Sequence, residues 1–347
     1  MAIIKGGSGN DELDGTGGAD TISGRGGNDR LRGLAGADRL LGEAGNDILD
    51  GGRGDDSLDG GRGLDLATYV DLASGVDVLS EGNADFADGL AGDWFATSAA
   101  GGSDILTGIE GIVGTRFADD VRGDDDGAEL IRGGSGDDFL AGGYYSLGSD
   151  TIYGGAGNDI VLGGEEIVSA GGTYAGRGDR FYGGDGNDRL GGLDGSDRLF
   201  GENGNDYLSG GPDRDVLTGG AGADTFAYLN NLTSIGTGTT RGDFGADLIA
   251  DFRRGTDEIR FEALQRDDDG GPPSPSLAGF ADLDSNGNGL LDGGDAYVDV
   301  ERVTFGGSTR TSTVIDVTAY VEDVPGEQSL TIFGVTGLTA ADFTNDL

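Results

Sequence analysis

Aspartate returns every nine residues along two long stretches of this chain, and carboxylates on a fixed period are the raw material of a metal site. In residues 183–209 the phrases GGDGNDRLG, GLDGSDRLF and GENGNDYLS put Asp188, Asp197 and Asp206 at the sixth place of each. From Gly6 the same phrase supplies Asp11, Asp20, Asp29, Asp38, Asp47 and Asp56, with Asp65 in a weaker copy that ends at Thr68. A second block is regular from GGSGDDFLA at 133–141 and adds Asp138, Asp150, Asp159, Asp215 and Asp224. Carboxylates held one above another repel. A hard divalent cation between them turns repulsion into cohesion, and calcium, which takes 6–8 oxygens in irregular geometry, suits such a column better than magnesium.

Other chemistries are absent from the alphabet. The chain has no cysteine and no histidine. That removes disulfides, thiolate chemistry, zinc fingers, histidine-based triads and H-E-x-x-H metalloprotease sites. A formal charge of −42 disfavours nucleic acid and anionic membranes as partners. No apolar run approaches the ~20 residues of a membrane span.

The elements that position the aspartates are legible from the eighth place. It reads Leu13, Ile22, Leu31, Leu40, Leu49 and Leu58, then Leu140, Ile152, Val161, Phe181, Leu190, Leu199, Leu208, Leu217 and Phe226. With apolar residues at 35%, fifteen apolar residues in fifteen copies is a chance of about one in ten million. A disordered, glycine-rich acidic chain predicts no such phase. The seventh and ninth places are mostly polar, so each copy ends in a strand of about three residues with one side chain inward. The six residues before it form a turn, where glycine permits positive φ and close backbone approach. Strand, turn, strand, turn must coil, and two nonapeptides per coil give a flattened parallel roll with its turns in two columns. Ile4 falls in phase as an extra eighth-place residue, which predicts a further strand over the N-terminal end.

These phrases resemble the RTX family of secreted bacterial proteins, whose signature is GGxGxDxUx with U a large aliphatic residue. The match spans residues 6–68 and 133–227 closely and 101–132 loosely. The resemblance implies an all-β, parallel β-roll (a β-solenoid) with calcium in its turns. It also implies that each ion takes sixth-place carboxylates from two stacked turns together with backbone carbonyls. Some copies depart from the pattern. Extra residues precede Asp150 in GGYYSLGSDTIY, Arg177 takes the fourth place before Asp179, and Pro212 with Asp213 breaks the turn before Asp215.

The organisation read from the sequence is a first block at 1–68, an insertion at 69–100, a second block at 101–227 and a C-terminal β-rich region at 228–347. The insertion holds Trp94, the only tryptophan, expected to pack the insertion onto the roll. Beyond it Asp104 and Asp119 stay in phase with Leu106 and Val121. GADLIADFRRGTDEIRF reads as a hairpin turning at Arg254-Gly255, and resembles the segment after the roll in serralysin-type proteins through Asp247, Ile249, Asp251, Phe252, Gly255, Asp257 and Ile259. Further on, Asp284, Asn286, Asn288, Asp292 and Asp295 fall at places 1, 3, 5, 9 and 12 of an EF-hand-like loop, with Gly289 at the bend. Asp295 in place of the usual glutamate predicts weak affinity.

The opening MAIIKGG is too short for a secretory hydrophobic region, whereas the tail SLTIFGVTGLTAADFTNDL resembles the C-terminal signals of RTX proteins exported by type I secretion machinery. The expectation is therefore a secreted, extracellular calcium-binding repeat protein that folds on meeting calcium. It carries no G-x-S-x-G elbow and no room for a catalytic domain, so no enzyme is expected. The alternative is a calcium-dependent adhesin or surface-layer protein that binds cell-surface polysaccharide.

Overall fold

Glycine in the first four places and an alternating triplet in the last three make each nonapeptide fold as a turn and then a strand. A computed structural model describes residues 1–80, 94–123, 128–143, 148–163, 178–230, 246–263, 290–291, 293, 298–316 and 329–344. The chain divides into two compact units, Met1–Glu165 and Glu166–Leu347.

In the first unit successive strands alternate between two sheets. One holds Ile3–Lys5, Thr21–Gly26, Arg39–Ala44 and Ser57–Arg62, and the other Glu12–Asp14, Arg30–Arg32, Ile48–Asp50 and Leu66–Thr68. Neighbours in each sheet are parallel and eighteen residues apart, with Ile22 facing Leu40 and Leu31 facing Leu49. This is a parallel β-roll of two nonapeptides per coil. Ile4 pairs with Ile22, so the extra N-terminal strand exists. The eighth-place side chains fill the space between the sheets, and Leu31, Leu40, Leu49, Leu140 and Val161 are fully buried. Each such burial stabilises by about 1.5–3 kcal/mol.

The insertion enters one sheet as two antiparallel neighbours. Trp94–Ser98 runs against both Gly102–Thr107 and Asp77–Ser80, and Asp77–Ser80 then pairs in parallel with Asp120–Arg122. Trp94, 1% exposed, points inward opposite Leu106 and packs the insertion into the core.

The second unit repeats the pattern with Arg180–Asp185, Arg198–Asn203 and Val216–Ala221 in one sheet and Arg189–Gly191, Tyr207–Ser209 and Thr225–Asn230 in the other. The hairpin expected around Arg254-Gly255 is not formed. Ala246–Ile249 pairs in parallel with Val216–Ala221, while Glu258–Ala263 pairs in parallel with Thr225–Asn230 in the opposite sheet. The roll thus gains another coil beyond Tyr228, because GDFGADLIA and FRRGTDEIR keep the fourth-place glycine and hold the aspartate and the inward residue two apart, Asp247 with Ile249 and Asp257 with Ile259. An antiparallel pair, Val298–Phe305 and Ser308–Asp316, is joined to this sheet through Ser329–Ile332. Among the described residues no helix is long and apolar enough to cross a membrane.

Candidate metal centre

The sixth-place aspartates form the columns that the turn geometry requires. Each backbone N–H donates to the carboxylate of the next coil. Asp29 donates to Oδ1 of Asp47 at 2.7 Å, Asp38 to Asp56 at 2.7 Å, Asp197 to Asp215 at 2.8 Å and Asp188 to Asp206 at 2.9 Å. Asp11, Asp20, Asp119, Asp138, Asp179 and Asp206 continue the same ladder into Asp29, Asp38, Asp138, Asp159, Asp197 and Asp224. Asp150 accepts from Glu129 and Asp247 from Asp215. Asp179 and Asp215 therefore sit in the columns despite their irregular turns.

Two carboxylates in these columns were not legible as repeats. Asp65 donates to Oε2 of Glu110, and Glu129 donates to Asp150, so glutamates stand where the phrase calls for aspartate. Their signal is the apolar residue two places on, Ile112 and Ile131, both fully buried. A second ladder runs through the fifth place. Asn28 donates its N–H to Oδ1 of Asn10 at 2.9 Å, Asn46 to Asn28 at 3.0 Å and Leu64 to Asn46 at 3.1 Å.

In eight of these aspartates the ladder occupies one oxygen and leaves the other. Oδ2 of Asp29, Asp38, Asp47, Asp56, Asp65, Asp138, Asp197 and Asp206 is buried with no hydrogen-bond partner. A buried carboxylate oxygen in that condition carries a heavy desolvation cost. Each faces the first-place glycine of its own turn. At Gly33 a Cβ would stand 2.5 Å from Asp38 Oδ2 and 2.6 Å from the carbonyl oxygen of Gly51 in the next coil. Carboxylate and carbonyl oxygens thus converge on a space that exists because glycine has no side chain. No group of three or more acidic side chains gathers among the described residues, so carbonyls must supply much of any coordination shell. This donor set is all oxygen, hard, and irregular, which fits calcium.

Burial pushes several carboxyls of the columns up. Asp56, Asp65 and Asp159 are raised to about 6, Asp104, Asp138 and Asp206 to about 7 and Asp197 to about 8. Desolvation is the main cause, and neighbouring carboxylates in the column add to it for all but Asp159, which Asp137 beside it raises further. The ladder N–H opposes both. Asp20 moves the other way, held low first by the Thr16 hydroxyl, at 2.7 Å from its Oδ2. Thr115 likewise donates its hydroxyl to Asp119, at 2.9 Å from Oδ1, but there burial wins and the carboxyl is raised. A threonine at the second place lets these turns satisfy their own carboxylates.

Asp224 differs again: its Oδ2 lies 3.1 Å from Nη2 of Arg253. Asp284, Asn286, Asn288, Asp292 and Asp295 of the EF-hand-like loop lie outside the described residues. Leu291, between Asp292 and the rest of the loop, is buried and bridges to Leu338.

A roll of acidic turns lined by unpartnered oxygens defines a cation-binding repeat protein. Residues 5–40, 32–67, 124–144, 146–166, 175–199 and 191–226 match the family described as RTX calcium-binding nonapeptide repeat (4 copies). The repeats of this chain are RTX calcium-binding repeats. No curated protein matches the chain. Among solved structures it is similar to the crystal structure of extracellular lipase LipA from Serratia marcescens, at 16% identity and a TM-score of 0.22. That similarity covers 99% of this chain and 39% of the lipase chain.

Proposed function

We propose that this protein is a secreted calcium-binding repeat protein whose roll forms when the chain meets extracellular calcium. The observation that carries the reading is the row of buried, unpartnered Oδ2 atoms over first-place glycines. In this reading Asp11, Asp20, Asp29, Asp38, Asp47, Asp56, Asp138, Asp150, Asp159, Asp188, Asp197, Asp206, Asp215 and Asp224 supply the carboxylates. Turn carbonyls complete each shell. Bound calcium supplies positive charge to the buried carboxylates of these turns.

Affinities of 10⁻⁴–10⁻³ M are typical of extracellular calcium modules. At cytoplasmic calcium the columns repel and the chain stays extended, a state suited to passage through a type I secretion channel. Outside, binding and folding become one process. Calorimetric titration of the chelated chain with calcium, followed in parallel by circular dichroism, tests this. Heat and β-signal should rise together between about 0.1 and 1 mM. Calcium binding without a gain of β-structure, or no binding, contradicts it.

A second reading, attachment to acidic cell-surface polysaccharide, is favoured by one feature of the second unit. Tyr182 and Phe200 stack on the outward sheet face with ring centroids 4.9 Å apart, next to exposed Arg180 and Arg198. Calcium-dependent retention on a uronate polysaccharide matrix, lost on replacing both rings by alanine, would support it.

A further inference from the structure

One stacked interval of a column in the second unit contains a cation that belongs to the chain. This column runs Asp188, Asp206, Asp224, Asp257, each donating its N–H to the next, with Asp224 reaching Asp257 Oδ1 at 3.3 Å. In the interval above Asp206 the free oxygen is buried and unpartnered. In the interval above Asp224 the Arg253 guanidinium enters the turn. Nη2 donates to the carbonyl oxygen of Gly222, to Asp224 Oδ2 at 3.1 Å and to Asp257 Oδ1 at 2.9 Å. Nε reaches Asp257 Oδ2 at 3.3 Å, and the Arg253 N–H donates to that oxygen at 2.6 Å.

One guanidinium nitrogen therefore holds a turn carbonyl and two stacked sixth-place carboxylates. Those are the donor types that converge, without a partner, in the preceding turns. Asp224 and Asp257 side chains are fully shielded, whereas Arg253 reaches in from a partly exposed stem. A fixed positive charge with several donors compensates a buried carboxylate pair as a metal does, although with directional bonds. The neighbouring Arg254 lies 3.6 Å from Asp342, the carboxylate that precedes the next strand, Phe343–Thr344, in the same sheet.

We propose that Arg253 stands in for a calcium ion between the turns of Asp224 and Asp257, so that this interval closes without metal while the glycine-rich turns before it require calcium. The proposal rests on the reading of those earlier turns as calcium sites. Its consequence is a sharp boundary: in this column calcium dependence ends at Asp224 although the roll continues.

The test uses the full chain and its Arg253→Ala variant, with calcium ions counted by native mass spectrometry and hydrogen exchange measured in calcium and in chelator. In chelated wild type, strand Glu258–Ala263 should exchange more slowly than strand Arg198–Asn203. In chelated R253A that protection should fall at least tenfold and return with calcium, accompanied by one additional bound ion per chain. An unchanged ion count with unchanged protection in R253A overturns the proposal, as does equally fast exchange of both strands in chelated wild type. Should R253A fail to fold even in calcium, the wild-type exchange comparison decides alone. Wild type that binds no calcium at all would overturn the calcium reading of the repeats, and with it any substitution by arginine.

Discussion

Asp206 divides its work between two oxygens: Oδ1 accepts the Asp188 N–H at 2.9 Å, and Oδ2 is buried without a partner. Asparagine at this position keeps an acceptor for the ladder and removes the charge. Asp206→Asn should therefore raise the calcium midpoint by roughly three- to tenfold while leaving the chelated chain no less ordered, measured by dichroism across a calcium titration. A variant that loses the roll even in excess calcium would mean the carboxylate is structural. Backbone conformation gives a second prediction. Leu34 sits at the second place with φ 75° and is 49% exposed, so Leu34→Gly should stabilise the calcium-loaded chain by about 1 kcal/mol. Gly36 has φ 128° and a Cβ there would press within 2.6 Å of the Gly18–Ala19 backbone. Gly36→Ala should cost on the order of 3 kcal/mol, and thermal unfolding of the pair reads opposite signs.

Turns stack and strands pair because every coil repeats the one before, so damage to an element spreads only to its neighbours. Leu199 is fully buried between the sheets of the second unit, and Leu199→Ala should cost about 2–5 kcal/mol in calcium, seen as a lower thermal midpoint. Period carried most of this architecture into the sequence: the spacing of Asp197 and Leu199 alone fixes which side chain faces in. The pattern is no longer legible where the period changes its chemistry. Glu110 and Glu129 replace aspartate, and the turns before Asp247 and Asp257 share only the fourth-place glycine, Gly245 and Gly255, beside the two-residue step from carboxylate to inward side chain. Arg253 was invisible as a site residue because its partners, Gly222 and Asp224, lie about thirty residues away and meet it only after coiling.

Across the whole molecule the dominant quantity is charge: −42 in a chain whose core carboxylates are buried in columns. Protons and calcium compete for the same oxygens. The folded carboxyls titrate well above the unfolded value of 3.8, at about 6 for Asp56 and about 8 for Asp197. The metal-free roll is therefore most stable below about pH 4 and loses that stability as pH rises through 6 to 8. Acidifying the chelated chain from pH 8 to 5 should recover β-structure, and the calcium midpoint at pH 6 should exceed that at pH 8, both readable by dichroism. Asp20, held low by Thr16, runs against the trend. The most direct test of cation-driven folding is the far-ultraviolet spectrum of the full chain at neutral pH, first after exhaustive chelation and then in millimolar calcium. The repeats should be largely unordered in the first and strongly β in the second, with magnesium a poor replacement. An identical β spectrum in both would contradict the account.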